Sequence, residues 1–384
     1  MSLTERLPID APLAAYEAQA RELLDAHSQG DTTAIQILHH SLPRFLDPVV
    51  TWKPLPIPDE EIRAAALTIA DAQLATARAY SFRDWRALSA LTQEIASPVS
   101  AVRRFELAAE AVIQGDATTL SAMLVADPSL ARARSTRETC HDPSVHRATL
   151  LHYLGANGIE GYRQRSPGNA VEIARLLLAA GAEVDALAGM YGGACTTLSM
   201  LISSSPPADA GVQVPLVNTL LDHGASIEGK GAGSWVSPMR TALIFGFRDA
   251  ADAVAARVSS IDDLAIAAGL GRAADCRRLL DGATPVQRHE ALALSAMNHR
   301  LDVVALLLDA GEDPNRYNPD GMHSHATPLH GAAFDGDLAL VQLLVSHGAR
   351  SDIRDSLWNG TAVGWAEHGG QPRVVDWFSA RNGE

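Results

Sequence analysis

Apolar residues recur along most of the chain at the three- and four-residue spacing that is typical of amphipathic helices. In the first hundred residues the spacing predicts four helical stretches, which are separated in the middle by the proline-rich piece 54–58. These stretches cover residues 16–27, 32–42, 61–79 and 84–95. We therefore predict an all-α protein with a helical N-terminal capping domain at 1–100, followed by a repetitive helical region at 101–384.

One segment of the repetitive region carries a dense set of local structure signals. Thr327 is a suitable N-cap for a helix, and Pro328 brings the fixed φ that the first helical turn requires. Leu329 and the alanines that follow predict a thin helix that packs closely on its neighbours. Gly348 follows a second helix and is predicted to end it in a left-handed turn.

This Thr-Pro-Leu-His segment resembles the ankyrin repeat, and the resemblance covers about residues 105–380. Second-helix endings recur with glycines at 181, 224, 282, 311 and 348. Their spacings are 43, 58, 29 and 37 residues, compared with about 33 in the ideal repeat. The longest spacing leaves room for a degenerate unit at 238–258, and partial units at 105–134 and 359–380 bring the count to about eight.

The resemblance implies a solenoid of helix-turn-helix units with hairpin-like fingers, and it implies binding of a partner by the groove of the repeats. It also implies that His330 ties the turns of adjacent repeats together by hydrogen bonds. The segment 75–85 is similar to helical segments that precede the repeats in many bacterial ankyrin proteins. We expect the N-terminal helices to cover the apolar face of the first repeat.

Two neighbouring units depart from the regular repeat at the same topological position. The interval from Leu329 to Leu343 is 14 residues, whereas the matching interval from Leu151 to Leu176 is 25. The second unit therefore carries an insertion at 158–168, and the same comparison gives the third unit an insertion at 203–211. Insertions at equivalent positions stack on one face of a solenoid, often the binding face. Loop drift without function is the alternative explanation.

A long finger at 135–146 precedes the helices of the second unit, so we expect the binding centre at the second and third units. His152 occupies the position of His330, which favours a structural role for it. Tyr162 and Arg163 have no such role, and we expect them to be exposed for contact. The candidate ligand-binding residues are His141, His146, His152, Tyr162, Arg163, Arg165, Tyr191, Trp235 and Trp358.

Composition narrows the class of partner. The 384 residues carry a formal net charge of −14, and this acidic balance disfavours nucleic acid and anionic membranes as partners. The three cysteines form no CxxC pair, which indicates reduced thiols in a cytoplasmic protein. The chain has neither a signal-peptide pattern nor an apolar run of membrane-spanning length.

Motifs for catalysis and cofactor binding are incomplete. His323 and His325 have a metal-like spacing but no third ligand at a convincing distance along the chain. His289-Glu290 lacks the second histidine of HExxH. The GxxxxGK pattern at 224–230 is followed by glycine where a magnesium-binding Ser or Thr is needed. We therefore predict no metal and no cofactor.

Two functions are compatible with these observations. The first is a binding or scaffold protein that grips a protein or peptide partner in the groove of the second and third units. The second is an enzyme or small-molecule-binding protein whose polar pocket is closed by the insertions at 158–168 and 203–211. The absence of a catalytic motif favours the first, and a deep closed pocket lined by His152, Tyr162 and Arg165 would favour the second.

Overall fold

The computed structural model describes residue 3 and residues 5–156, 159–190 and 193–382. Its packing divides the chain into two compact units, Met1–Val236 and Ser237–Glu384, which we call the N-terminal and C-terminal units. The N-terminal unit contains both the first helices and the first repeats. This division does not follow the predicted boundary near residue 100, which remains a prediction.

Five helices precede the repeats in the N-terminal unit. They are α1 (Leu13–Ser28), α2 (Thr32–Ser41), α3 (Asp59–Ala64), α4 (Ile69–Ala79) and α5 (Trp85–Ala96). The predicted single helix over 61–79 is wrong, because the backbone is extended at Ala65 and Thr68. The Thr68 hydroxyl accepts the N–H of Asp71, while the Asp71 carboxylate accepts the N–H of Thr68, so this capping box starts a new helix.

Three helix pairs follow in the N-terminal unit. The first pair is α6 (Ala101–Gln114) with α7 (Ala117–Ala126), the second a 3-10 helix (Leu150–Gly155) with α8 (Ala170–Ala179), and the third α9 (Thr197–Leu201) with α11 (Gln213–Asp222). The insertion at 203–211 forms α10 (Ser205–Asp209). An antiparallel hairpin of β1 (Ala188–Met190) and β2 (Gly193–Cys195), with Ala188 opposite Cys195, precedes the third pair. Further 3-10 helices are Pro43–Phe45, Pro128–Arg132, Gly161–Arg163 and Gly233–Trp235.

Five further pairs make up the C-terminal unit. They are α12 (Pro238–Ile244) with α13 (Arg248–Ala255), α14 (Leu264–Gly269) with α15 (Ala273–Leu280), α16 (Pro285–Met297) with α17 (Leu301–Asp309), α18 (Pro328–Phe334) with α19 (Leu338–Ser346), and α20 (Ala362–His368) with α21 (Pro372–Asn382). First helices pack on first helices, as α18 does on α16 and α20, and second helices pack on second helices, as α19 does on α17 and α21. The described residues thus contain eight helix pairs, and the predicted all-α repeat architecture is confirmed.

Most of the repeat-ending glycines have the predicted left-handed backbone. The φ angles are +91° at Gly181, +85° at Gly224, +93° at Gly311 and +89° at Gly348. The prediction is wrong for Gly282, whose φ lies outside the left-handed region. After α15 the N–H of Ala283 donates a hydrogen bond to the carbonyl of Leu280, and the turn that this bond closes does not require a left-handed residue.

Candidate functional site

The finger and the insertion of the second repeat pack against the N-terminal helices instead of framing an open groove. Phe82 and Thr139 form an antiparallel bridge, and the N–H of Arg83 donates to the carbonyl of Glu138 at 3.0 Å. The N–H of Gly161 donates to the Ser81 hydroxyl oxygen at 3.0 Å. The segment after α4 therefore holds both extra pieces of chain in place.

A buried cluster of ionised side chains lies where these pieces meet α6. Arg163 Nη1 lies 2.8 Å from a carboxylate oxygen of Glu106 and 3.0 Å from one of Glu160. Arg137 Nη2 donates to Glu106 at 2.9 Å, and its Nε lies 3.4 Å from Glu160. These four side chains are 2% exposed or less. We call Glu106, Arg137, Glu160, Arg163 and His146 the ion cluster.

Hydrogen bonds complete the surroundings of Glu160. Its carboxylate accepts the Tyr153 hydroxyl at 2.6 Å and lies 3.0 Å from Nε2 of His146. Nδ1 of His146 accepts the N–H of Ala148, so Nε2 is the nitrogen that carries the proton toward Glu160. Burial opposes ionisation of Glu160, but Arg137 and Arg163, together with the His146 bond, hold its pKa well below its ordinary value.

This arrangement corrects the expected exposure of the insertion residues. Arg163 is buried in the ion cluster, and His146 is fully buried beside it. Tyr162 is half-buried, and its ring lies 5.4 Å from the ring of Tyr80 in the N-terminal core. Arg165 is exposed, as expected. These contacts give most of the insertion a packing role in the structure.

The two repeat-motif histidines make the same set of hydrogen bonds. In each, Nδ1 accepts the N–H of the preceding N-cap threonine, Thr149 for His152 and Thr327 for His330. Nε2 lies 3.3 Å from a carbonyl of the next finger, that of Cys195 for His152 and that of Gly360 for His330. The structure thus shows the implied link between turns of adjacent repeats. Burial lowers the pKa of His152 to about 4.

The remaining N-terminal candidates are also largely covered. His141 is half-buried, and burial followed by the nearby His146 lowers its pKa. Trp235 is 6% exposed, so the expectation that it offers a contact surface is wrong. Its indole packs so closely on Gly193 that a Cβ there would lie 2.6 Å from Trp235 Cδ1. Tyr191 lies outside the described residues.

A line of aromatic and imidazole rings lies on the C-terminal unit, where the sequence suggested only Trp358. The rings belong to the last two repeats and to the loops that precede them. We call His323, His325, Phe334, Trp358, Trp365 and His368 the aromatic groove. Trp358 is 53% and Phe334 is 42% exposed. The groove encloses about 580 Å³, with Gly360 and Gly364 as its other lining residues.

Asp355 organises the loop that presents Trp358. Its buried carboxylate accepts the backbone N–H groups of Leu357 at 2.8 Å, Trp358 at 2.6 Å and Gly360 at 2.7 Å. The same carboxylate accepts the indole N–H of Trp365 at 3.0 Å. Burial alone would raise the pKa of Asp355, but these hydrogen bonds hold it below its ordinary value. The loop and α20 are therefore fixed to each other through one anionic side chain.

Neighbouring rings of the groove meet edge to face. The ring centroids of His325 and Trp358 are 5.1 Å apart with an interplanar angle of 83°, and those of Trp358 and Trp365 are 6.0 Å apart at 67°. Phe334 lies 6.1 Å from Trp365 at 77°. Burial and the adjacent His323 lower the pKa of His325, so its imidazole is neutral near pH 7. The described walls of the groove are indole, phenyl and imidazole rings.

A second cavity of about 450 Å³ adjoins the groove within the C-terminal unit. The two share His323, His325, Phe334 and Trp365, and the second extends toward the end of α12. His323 Nε2 lies 3.3 Å from the carbonyl of Ile244, so the long loop before α18 crosses toward α12. The two cavities therefore lie side by side along neighbouring repeats.

Sequence reasoning missed most of this groove. Phe334 and His368 end first helices, and the helical pattern alone does not show that these ends face solvent. The Trp365 indole N–H donates to Asp355, and the same ring lines the groove. The useful signal was the density of Trp, His and Phe between residues 323 and 368.

No group of three or more His, Cys, Asp or Glu side chains in the described part of the chain has an arrangement that would hold a metal ion. Within the same residues, no helix combines the length and the apolar character needed to span a lipid bilayer.

Comparisons with known proteins agree on the type of repeat. The family model "Ankyrin repeats (3 copies)" matches residues 264–355, which include α14 to α19. Cyclin-dependent kinase 4 inhibitor B from Homo sapiens is 35% identical over 129 residues, which is 33% of this chain and 91% of the relative. Cyclin-dependent kinase inhibitor 2A from Monodelphis domestica is 38% identical over 120 residues, 30% of this chain and 67% of the relative.

Other matches cover different shares of the proteins compared. XBAT31 from Arabidopsis thaliana is 33% identical over 98 residues, which is 25% of this chain and only 20% of that protein. Among solved structures, the human ASB11 ankyrin repeat domain matches 68% of this chain and 95% of that domain at 21% identity, with a TM-score of 0.35.

Proposed function

The chain belongs to the ankyrin-repeat family, and from this premise we propose that it is a binding protein that holds an extended protein segment in the aromatic groove. The observation that carries the proposal is the set of half-exposed rings, Trp358 and Phe334 above all, beside two adjoining cavities. Exposed aromatic side chains beside a cavity are typical of the residues that dominate binding energy at interfaces.

Two further points support a protein partner. The human and Monodelphis domestica relatives are named as inhibitors of cyclin-dependent kinases, and a kinase is a protein target. The rings of the groove are also held in place before binding, because Asp355 fixes both the Trp358 loop and Trp365. A preorganised surface loses little conformational entropy when a partner binds.

The proposal moves the binding centre away from the second and third repeats. Arg163 and His146 are bonded to other side chains of the ion cluster, so a partner would have to break buried ion pairs to reach them. Trp358 is already exposed. A pocket closed by the insertions at 158–168 and 203–211, with enzymatic or small-molecule activity, remains a prediction that no observed contact favours.

Selection from a displayed library of random peptides, with the full chain as the target, tests the proposed function. We expect selected peptides to bind the wild type and to lose about tenfold or more in affinity on Trp358→Ala, because a central aromatic side chain often contributes about 2 kcal/mol. Trp52→Ala is the matched control, since Trp52 is 63% exposed and lies in the N-terminal unit.

Fluorescence titration of each purified variant supplies the affinities. Peptides that bind both variants as tightly as the wild type would place the binding site elsewhere. Failure to select any peptide would contradict the proposal that the groove takes an extended segment.

A further inference from the structure

We propose that the aromatic groove contains a subsite for the ammonium group of a lysine side chain, formed by the ring faces of Trp358, Trp365 and Phe334. This inference rests on the proposed function and specifies its partner, which is a basic segment of another protein. The observations behind it are the kind of lining residue, the ring geometry and the distribution of charge.

The lining is aromatic and contains no aliphatic side chain among the described residues. Around the 580 Å³ space there are only rings and the two glycines, Gly360 and Gly364. A pocket built for a leucine or valine anchor is normally lined by aliphatic groups as well. Aromatic faces carry partial negative charge, and they attract a cation that lies within about 6 Å of the ring centre.

The rings are arranged at steep angles, so they enclose a corner instead of stacking into a flat wall. Trp358 and Trp365 meet at 67°, and Phe334 meets Trp365 at 77°. A group that enters such a corner contacts more than one ring face at once. Trp358 is 53% exposed, so its ring is accessible from solvent.

Asp355 strengthens the negative potential of this corner. Its carboxylate is 3% exposed and accepts the indole N–H of Trp365 at 3.0 Å. A hydrogen bond from the indole to an anion increases the electron density of the ring. Because the carboxylate also binds three backbone N–H groups, it acts on the groove through Trp365 and does not form a direct ion pair.

The described lining of the groove contains no arginine and no lysine. Residues 237–384 contain 13 arginines, no lysine and 19 acidic residues, which gives this unit a formal charge of −6. Arg354, in the loop that carries Trp358, directs its Nη1 to the carbonyl of Asn359 at 2.7 Å. A basic segment is therefore attracted to the unit as a whole and meets neither arginine nor lysine among the lining residues of the groove.

The first experiment tests the subsite without any peptide. Butylammonium, which represents the end of a lysine side chain, and uncharged butanol are titrated into the full chain while the indole N–H signals are followed by NMR. We expect butylammonium to shift the Trp358 and Trp365 signals at a concentration about tenfold below that of butanol. Equal responses to the two probes would overturn the cation subsite.

The second experiment compares a variant that keeps an aromatic face at position 358 with a variant that removes it. Trp358→Phe retains an aromatic face and is expected to keep the preference for butylammonium, whereas Trp358→Leu removes the face and should abolish it. Trp52→Leu, in the N-terminal unit, is the control and should behave as wild type. A preference that persists unchanged in Trp358→Leu would show that overall charge, not the ring, attracts the cation.

The selected peptides then separate this inference from the proposed function. If the selected peptides share a lysine at one fixed position, and its replacement by norleucine lowers their affinity about tenfold, both the subsite and the proposed function are supported. Peptides that bind at Trp358 without a basic residue would support the proposed function and overturn the subsite. A butylammonium preference without any peptide binding would leave the subsite standing and contradict the proposed function.

Discussion

At the scale of single residues, Glu160 shows how far burial can change the meaning of a charged side chain. In the sequence it is one acid in a polar insertion, and nothing in its spacing distinguishes it from Glu110. In the fold it meets two guanidinium groups, an imidazole and a phenol away from solvent. These partners come from the finger, from the 3-10 helix Leu150–Gly155 and from the insertion itself, so their meeting depends on tertiary packing that local sequence patterns do not encode.

Removal of the Glu160 charge should destabilise the N-terminal unit strongly. Glu160→Gln leaves Arg137 and Arg163 buried with Glu106 as the remaining carboxylate of the ion cluster, and breaking a buried ion pair on one side typically costs about 3–5 kcal/mol. Glu110→Gln is the control, because Glu110 is 33% exposed and lies 3.5 Å from Arg163 Nη2. Glu110→Gln should lower the free energy of unfolding by less than about 1 kcal/mol. Urea unfolding of both variants measures the difference, and similar values would show that the ion cluster is not a stabilising unit.

The low pKa of His152 predicts a loss of stability in mild acid. Its pKa in the folded protein is about 4, below the ordinary value of 6.5, so the unfolded chain takes up a proton first as the pH falls. The contribution of the neutral imidazole is present above pH 6.5 and is lost as the pH falls toward 4, by an amount on the order of 3 kcal/mol. The free energy of unfolding of His152→Gln should therefore depend less on pH than that of the wild type. Parallel curves for the two proteins between pH 7 and 4.5 would contradict the assignment.

At the scale of elements, local signals in the repeats predicted where helices begin and end, whereas no local signal predicted what the insertions contact. Caps such as Thr327 and helix ends such as Gly348 act within a few residues, so helix pairs and their number follow from the sequence. The split between α3 and α4 was missed because the apolar spacing continues across Thr68, where a capping box interrupts the helix. The finger at 135–146 and the insertion at 158–168 pack on residues 80–83, about 60 to 80 positions earlier in the chain. No local signal reports a contact at that distance.

Gly348→Val should destabilise the last two repeats through backbone strain alone. The φ of Gly348 is +89°, which side chains of L-residues rarely adopt, while no atom lies within 4 Å of a Cβ built there. A β-branched residue is expected to cost more than the ~1 kcal/mol typical of alanine at such a position. Gly282→Val offers a matched control with an equally open site and a φ outside the left-handed region. Hydrogen exchange should show faster opening of α18 to α21 in the first variant only, and unchanged protection there would refute the assigned helix end.

At the scale of the whole molecule, the N-terminal helices and the first repeats form one compact unit. The core cluster of Tyr16, Tyr80 and Leu88 also receives Tyr162 from the second repeat. The sequence predicted a capping domain at 1–100, which stays a prediction, and in the structure α5 packs on α6. It did not predict that this segment also fixes the extra loops, and the candidate binding centre shifted to the C-terminal unit for that reason.

Deletion of residues 1–95 should therefore damage more than the first repeat. It exposes the apolar side of 105–124, and it also removes Phe82, which lies 4.5 Å from the guanidinium of Arg137, and the Ser81 hydroxyl bonded to Gly161. We expect aggregation in size-exclusion chromatography and rapid hydrogen exchange in 135–165. A soluble, monomeric and fully helical truncation would contradict this expectation and show that residues 1–100 are an independent domain.

The ion cluster also limits how this protein can be recombined with others. Repeat proteins are commonly shortened or shuffled by joining chains at the loops between repeats, because each repeat contacts only its neighbours. A junction placed between α7 and the second repeat would separate Glu106 from Arg137, Glu160 and Arg163, and each half would inherit unmatched buried charge. Residues 80–163 must therefore be transferred as one block. In a chimera that keeps this block intact, the first junction that can follow the block lies in the second repeat, after the start of α8.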